Sequence, residues 1–202
     1  PMTLFVLVNA YNEFSNLPRA WESVKTNIGG EVTLVVVDGK YPDYPAQGDL
    51  SSDGTRDYAL QHGHLIDCVD DECAKRTAGL RFIDLLANEG DFVLYLDADE
   101  EITGWFGWPT QVGVIGFTRK SSPVTYDRSR VYAWVPGYEF RRRHYELWLG
   151  DDLVADLSTA GPGYEQSMCG LGVHHDRAHS PERRKTKRAY YDILGPREKA
   201  MV

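Results

Sequence analysis

Residues 32–37, VTLVVV, are apolar on both faces. Successive side chains of a strand point to opposite faces of its sheet, so a half-exposed strand alternates. A strand with no polar face must be covered on both sides, which marks the interior of a parallel sheet between layers of helix. Asp38-Gly39 ends the run. Two other apolar runs follow the same pattern. Residues 3–9 (TLFVLVN) stop at Ala10-Tyr11-Asn12-Glu13, and residues 92–96 (FVLYL) run straight into Asp97-Ala98-Asp99-Glu100-Glu101.

The segments between these runs read as helices. Ser15 or Asn16 is a candidate N-cap, Pro18 suits a first helical turn, and Gly29-Gly30 stops the helix, with Trp21 and Val24 inward. A second helix starts near Thr55 and precedes a strand over 64–69. Residues 71–88 form a third, with Ala74, Ala78, Phe82, Leu85 and Leu86 as its expected buried stripe and Gly90 closing it. Alternation of strand and helix predicts an α/β fold, a doubly wound and mostly parallel sheet with right-handed crossovers. Such sheets bind ligands outside the carboxyl ends of their strands. The pattern changes beyond Gly104. Residues 112–119, 130–135 and 138–143 read as a smaller antiparallel part, the last two joined at Pro136-Gly137. Residues 161–172 are glycine-rich and loop-like, and 183–194 form a candidate terminal helix.

The chain has 202 residues, of which 42% are hydrophobic, enough for one domain (2–202) with a sizeable core. Pro1 ahead of Met2 reads as a tag remnant. No run approaches the ~20 apolar residues of a membrane span, and no signal-peptide pattern opens the chain. Cys68, Cys73 and Cys169 lack zinc-type spacing and read as reduced thiols, which points to a cytoplasmic protein. A net charge of −8 argues against non-specific nucleic-acid binding. Arg141-Arg142-Arg143-His144 and the basic block at 183–188 are local exceptions that suit phosphate contact.

Carboxylates at strand ends carry the chemistry. Asp97 and Asp99 are hard oxygen ligands suited to Mn²⁺ or Mg²⁺, and such an ion can bridge them to a diphosphate. Asp38 reads as an acceptor for a base N–H or a ribose hydroxyl, or as a turn-forming Asp-Gly. Tyr11 is a candidate for stacking on a base. Lys75 and Arg76, at the start of the third helix, read as partners of the acids, as phosphate contacts, or as a solvated helix face.

The segment Val6-Leu7-Val8-Asn9-Ala10-Tyr11-Asn12-Glu13 resembles the opening strand of the family-2 glycosyltransferases, which ends in AYNE. Val35-Val36-Val37-Asp38 followed by Ser51-Ser52-Asp53-Gly54-Thr55 resembles that family's VDDGSSDGT segment, interrupted here by residues 39–50 (GKYPDYPAQGDL). Ala74-Lys75-Arg76-Thr77-Ala78-Gly79 resembles its AxARNxG helix start, with Thr77 in place of Asn. Residues 92–99 resemble its strand leading to a DxD motif. The blocks follow the family's order across residues 3–103. The resemblance implies a GT-A fold, with a nucleotide-sugar-binding half at 2–103 and an acceptor-binding half at 104–202. It implies a nucleoside diphosphate sugar as donor, UDP by family habit, and a divalent metal. Ala10, Tyr11 and Glu13 would line the nucleotide pocket, with Asp38 on the base or ribose. Asp97, Ala98 and Asp99 would lie around the ribose and metal diphosphate, with Asp99 the stronger metal ligand.

The second half resembles the family more loosely. Glu146, after an aromatic strand, is the first candidate for a general base that deprotonates an acceptor hydroxyl, with Asp151, Asp152 and Glu165 as rivals. Gly172-Val173-His174-His175-Asp176 resembles a late segment whose histidine completes the metal shell, so His174 or His175 is a candidate ligand. Arg177 and Arg183 are candidate diphosphate contacts. The expected acceptor is a hydroxyl on a protein, a small glycoside or a modified DNA base. Two other readings compete. One is a nucleotide-sugar-binding module without catalysis. The other is a nucleotidylyltransferase, which the glycine-free NAYNEFSN disfavours, because that class carries a glycine-rich phosphate loop there. The insert at 39–50 reads as a surface loop or as a lid on the base pocket.

Overall fold

The computed structural model describes residues 2–42, 44–104, 114–121, 124–141, 146–156 and 172–175. Its elements are β1 (Thr3–Ala10), α1 (Leu17–Asn27), β2 (Glu31–Asp38), α2 (Thr55–His62), β3 (Gly63–Asp67), α3 (Glu72–Ile83), β4 (Phe92–Tyr95), β5 (Glu100–Gly104), β6 (Val114–Ser121), β7 (Val124–Ala133), β8 (Tyr138–Phe140), β9 (Glu146–Leu149), β10 (Asp152–Asp156) and β11 (Gly172–His175). Among the described residues, one mixed sheet has the order β3-β2-β1-β4-β7-β6-β11-β5, and a small antiparallel sheet has the order β10-β9-β8. The run β3-β2-β1-β4 is parallel throughout. This is the expected α/β class, with a mostly parallel sheet and a smaller antiparallel part.

The both-faced burial of β2 has its physical cause in the two layers around it. Val36 and Leu34 join Leu17, Ala20, Trp21 and Val24 of α1 and Ala59 of α2 on one face. Val35 and Val37 join Leu80 and Ile83 of α3 on the other. The chain winds outward from β1 to β3 with α1 and α2 on the first face. It then crosses back through α3 on the opposite face to β4, on the far side of β1. The strand order therefore reverses between β1 and β4, which is the topological switch point at which such sheets open a crevice.

α3 differs from its expected form. It ends at Ile83, and its buried residues are Lys75, Arg76, Gly79, Leu80 and Ile83. Leu85 is 78% exposed, Leu86 is also exposed, and Ala74, Ala78 and Phe82 are only half-buried. The helix is rolled about one residue from the apolar stripe. Close approach at Gly79 explains the roll, since an added Cβ there would overlap Leu7 Cδ1 and stand 3.0 Å from Val37 Cγ2. Tight bonds from Leu85 N to Phe82 O (3.1 Å) and from Leu86 N to Ile83 O (2.9 Å) then turn the chain off the helix axis.

The turn at Pro136-Gly137 also differs. β7 pairs with β4 and β6, whereas β8 pairs with β9, so the turn carries the chain from one sheet to the other rather than closing a hairpin. Tyr138 packs edge-on against Tyr132 and Trp134, and Phe140 N takes a 2.9 Å bond to Thr77 Oγ1. These contacts draw β8 onto α3. Of the expected loop at 161–172, Gly172 opens β11 instead; residues 161–171, the expected helix at 183–194 and residues 112–113 lie outside the described residues.

Two predictions follow from this packing. Gly79→Ala should destabilise the fold by about 1–3 kcal/mol, because the new methyl must push α3 off Leu7 and Val37; chemical denaturation measures it. Tyr132 is fully buried, and its hydroxyl has no hydrogen-bond partner among the described residues. Burial pushes its phenol well above the ordinary 10.0. The native state therefore holds this proton after the unfolded chain has lost it, and stability falls as pH rises above about 10. Tyr132→Phe should stabilise the protein at neutral pH by about 1 kcal/mol and make the alkaline loss shallower.

Candidate functional site at the strand ends

The carboxyl ends of β1, β2 and β4 form one rim. Ala10 stands opposite Asp38, Leu7 opposite Tyr95, and Leu96 N bonds Leu7 O at 3.1 Å. Asp97-Ala98-Asp99 thus leaves the sheet beside the end of β1, on the other side of the switch point from Asp38. Asp97 is half-buried, whereas Ala98 and Asp99 are buried. The turn is fixed by Glu100, whose carboxylate accepts from Asp97 N at 3.0 Å while its own amide donates to Asp97 O at 2.9 Å.

Asp38 is fully buried and richly bonded. Its Oδ2 accepts from Ser51 N at 3.0 Å and from Arg56 Nη1 at 2.9 Å, and its Oδ1 accepts from Ser51 Oγ. Arg56 also forks onto Asp67 at 2.6 and 3.2 Å. A carboxylate offers about four acceptor positions. Three are filled by donors among the described residues. Ser51 Oγ in turn accepts from Asn12 N at 2.7 Å, and Asn12 Oδ1 accepts from Ser52 N at 3.0 Å. Asn12 has φ 52°, a left-handed conformation that asparagine tolerates better than most residues. Asp53 completes the dock by accepting from Thr55 N and Phe14 N, both at 3.0 Å. Glu13 N donates to Thr55 Oγ1, and Glu13 Oε2 accepts from Asn16 Nδ2, both at 2.8 Å.

Lys75 and Arg76 do not form a solvated helix face. Lys75 is fully buried, and its Nζ donates to Ala10 O (3.1 Å) and to Gly39 O. Tyr41 caps the ammonium with its ring centroid 4.7 Å away. Burial pushes the Lys75 ammonium below its ordinary 10.5, against the opposing fields of Glu72 and Asp38. Arg76 lies 3.6 Å from the Tyr95 ring centroid and 5.2 Å from that of Phe140. Burial would lower its guanidinium, but the fields of Tyr95, Glu72 and Asp97 outweigh this and raise it. Sequence reasoning did not single out Glu72, whose Oε1 accepts from Asn9 Nδ2 (3.1 Å), Arg76 Nε (3.1 Å) and Tyr95 Oη (3.0 Å). It also missed Arg56. The only available signal was a cation within a turn of the Ser-Asp-Gly-Thr segment.

The second half is placed in part. Glu146 opens β9 and accepts from Trp148 Nε1 at 3.3 Å, while Asp152 opens β10 and is exposed. Both lie in the small sheet rather than at the rim. β11 pairs antiparallel with β5, His174 opposite Glu101 and His175 opposite Glu100, so its backbone runs beside the acidic segment. Glu165, Arg177, Arg183, Cys169 and residues 142–144 lie outside the described residues.

The donor chemistry at the rim fits a hard divalent ion, because Asp97 and Asp99 are oxygen ligands two residues apart. Among the described residues, no three His, Cys, Asp or Glu side chains gather as a ready-made metal site. An ion here would need further oxygens from its ligand or from water. Also among the described residues, no helix is long and apolar enough to cross a membrane.

No family model matches the chain, and no curated protein does. Among solved structures, the chain is similar to S. aureus TarS 1–349, with TM-score 0.38 and 21% identity over 50% of this chain and 29% of that one. The same fragment in complex with UDP gives the same values. In complex with UDP-GlcNAc it gives TM-score 0.35 and 23% identity, over 50% of this chain and 28% of that one. The chain spans less than a third of the length of these structures.

Arg56→Ala should leave the Asp38 carboxylate buried without its cation. We expect a loss of stability on the order of 3 kcal/mol, with the 51–55 segment loosened from β2. Denaturant unfolding reads the first effect and backbone hydrogen exchange the second.

Proposed function

We propose that this chain is a metal-dependent glycosyltransferase of GT-A type, moving a sugar from a nucleoside diphosphate to a hydroxyl acceptor. One observation carries the reading. The sequence blocks that resemble family-2 glycosyltransferases meet at one rim, on either side of the reversal in strand order. Ala10, Tyr11 and Glu13 stand with Asp38 on one side of that point, and Asp97, Ala98 and Asp99 on the other. A crevice at such a point is where an open α/β sheet takes a nucleotide.

In this reading each part has a separate task. Tyr11 offers a ring to the base, and Asp38 would accept from a base N–H or ribose hydroxyl. Lys75 shapes the rim by holding strand-end carbonyls, so it acts on the nucleotide through backbone position. Arg76 sets positive charge behind Asp97. Asp99 and Asp97 would hold Mn²⁺ or Mg²⁺, with His174 or His175 as the further candidate. When bound, the ion neutralises charge on the departing diphosphate. Glu146 remains the first candidate for the base, with Asp152 as its rival. UDP is the first donor nucleotide to test, and the acceptor is a hydroxyl on a protein, a glycoside or a modified DNA base.

A thermal-shift panel of UDP-, GDP- and dTDP-sugars with Mn²⁺, Mg²⁺ or EDTA tests the donor site without a known acceptor, since a ligand of the native state raises its apparent stability. We expect a shift with one nucleotide that needs the metal and is lost in Asp99→Ala. No shift under any condition would reject the reading. Binding without sugar transfer or donor hydrolysis would instead leave a non-catalytic nucleotide-sugar module.

A further inference from the structure

The described residues of the insert at 39–50 leave the end of β2 and come back beside it at Ser51, and they contact the rim. Its neck is closed by Lys40 N to Asp49 O at 2.9 Å and by the Lys40–Asp49 ion pair, also at 2.9 Å. Just outside the neck, Asp38 and Ser51 are bonded directly. The first foot cannot slide. Gly39 N bonds Ala10 O at 3.2 Å, Gly39 O takes the Lys75 ammonium, and an added Cβ at Gly39 would overlap Cys68 O. A compact loop of this kind keeps its shape through contacts of its own side chains.

Those contacts are aromatic and fall on residues of the nucleotide site. Tyr41 covers Lys75. Tyr44 meets Tyr11 edge-on, with centroids 5.6 Å apart and planes at 77°. Tyr11 Oη donates to Gly48 O at 3.0 Å and reaches Gln47 O at 3.3 Å, so the residue expected to stack on a base also fastens the far side of the loop. Tyr44 and Tyr11 are both half-buried. A free surface loop has no reason to place two rings there.

We propose that the insert is a built part of the nucleotide site. Tyr44 supplies a second aromatic wall, set nearly at right angles to the Tyr11 ring, for the base of a nucleoside diphosphate, and the Tyr11 hydroxyl latches that wall to the rim. This rests on the donor-site reading above. Base-on-aromatic contacts are worth about tenfold or more in affinity, and a diphosphate without a base cannot use them.

The test measures UDP and inorganic pyrophosphate binding with Mn²⁺ by calorimetry for wild type, Tyr44→Ala, Tyr44→Phe and Tyr11→Phe. Tyr44→Ala should weaken UDP about tenfold and leave pyrophosphate unchanged, while Tyr44→Phe, which keeps the ring, should bind UDP like wild type. Tyr11→Phe keeps its ring but loses the latch. It should weaken UDP less and speed amide exchange across 44–50 in the ligand-free protein. If wild type binds UDP and Tyr44→Ala binds it equally well, the wall is overturned and the donor site stands. Equal weakening of UDP and pyrophosphate also overturns it, because the effect would then be on the fold. If wild type binds neither UDP nor, in the same titration, GDP or dTDP, both readings fall.

Discussion

The Lys75 ammonium, buried beneath the ends of β1 and β2, is the interaction on which the rim depends. Removing an ammonium from water costs several kcal/mol unless it is paired and hydrogen-bonded. Here Ala10 O, Gly39 O and the Tyr41 ring surround it. Its acceptors are the last carbonyl of one strand and the first carbonyl beyond the next. The ammonium therefore fixes where both strands stop. It also fixes α3, because the helix must present this face to the sheet whatever its apolar residues prefer. The absence of a side chain at Gly79 lets the helix come down close enough for Lys75 to reach.

This explains which parts of the fold were legible in the sequence. The three runs at β1, β2 and β4 were plain, since each is apolar on both faces and ends in polar residues. Asp71 was legible as the start of α3, and its side chain accepts from Ala74 N at 2.8 Å. The buried face of α3 was not. A reading by hydrophobic period puts leucines inward and lysines outward, and at Lys75 and Arg76 local burial chemistry overrides that period. Leu85 and Leu86 are the corresponding errors at the far end. The turn at Pro136-Gly137 looked like a hairpin because its dipeptide is right for one. The pull that sends Tyr138 and Phe140 to α3 comes from Thr77 and two distant aromatic rings, which no local window contains.

At the candidate site, residue types were legible and their partners were not. Tyr11, Asp38 and the Asp97–Asp99 pair stand out as polar groups at strand ends. Nothing local says that Arg56 and Ser51 fill most of Asp38, or that Glu72 gathers three donors at one oxygen. Those partners make the rim stiff. Asn9, Arg76 and Tyr95 come from three different elements, and sharing Glu72 Oε1 ties the first turns of α3 to the carboxyl ends of β1 and β4. Asn9 Oδ1 is left buried without a partner among the described residues, a polar cost borne next to the crevice.

Stiffness of this kind bears on how a nucleotide would be told apart from other anions. Charge alone discriminates poorly, since any phosphate meets the same field. The orientation of the Asp38 carboxylate is set by Ser51 and Arg56. In the proposed reading a donor would bring one N–H or O–H to Asp38 while its diphosphate reached across the switch point to Asp97 and Asp99. Both ends of this span are fixed by the fold, one by the Asp38–Ser51–Arg56 knot and the other by the Glu100 turn. Selectivity would then follow from length and hydrogen-bond direction together. In that reading a free diphosphate would satisfy only one end, and a nucleoside only the other.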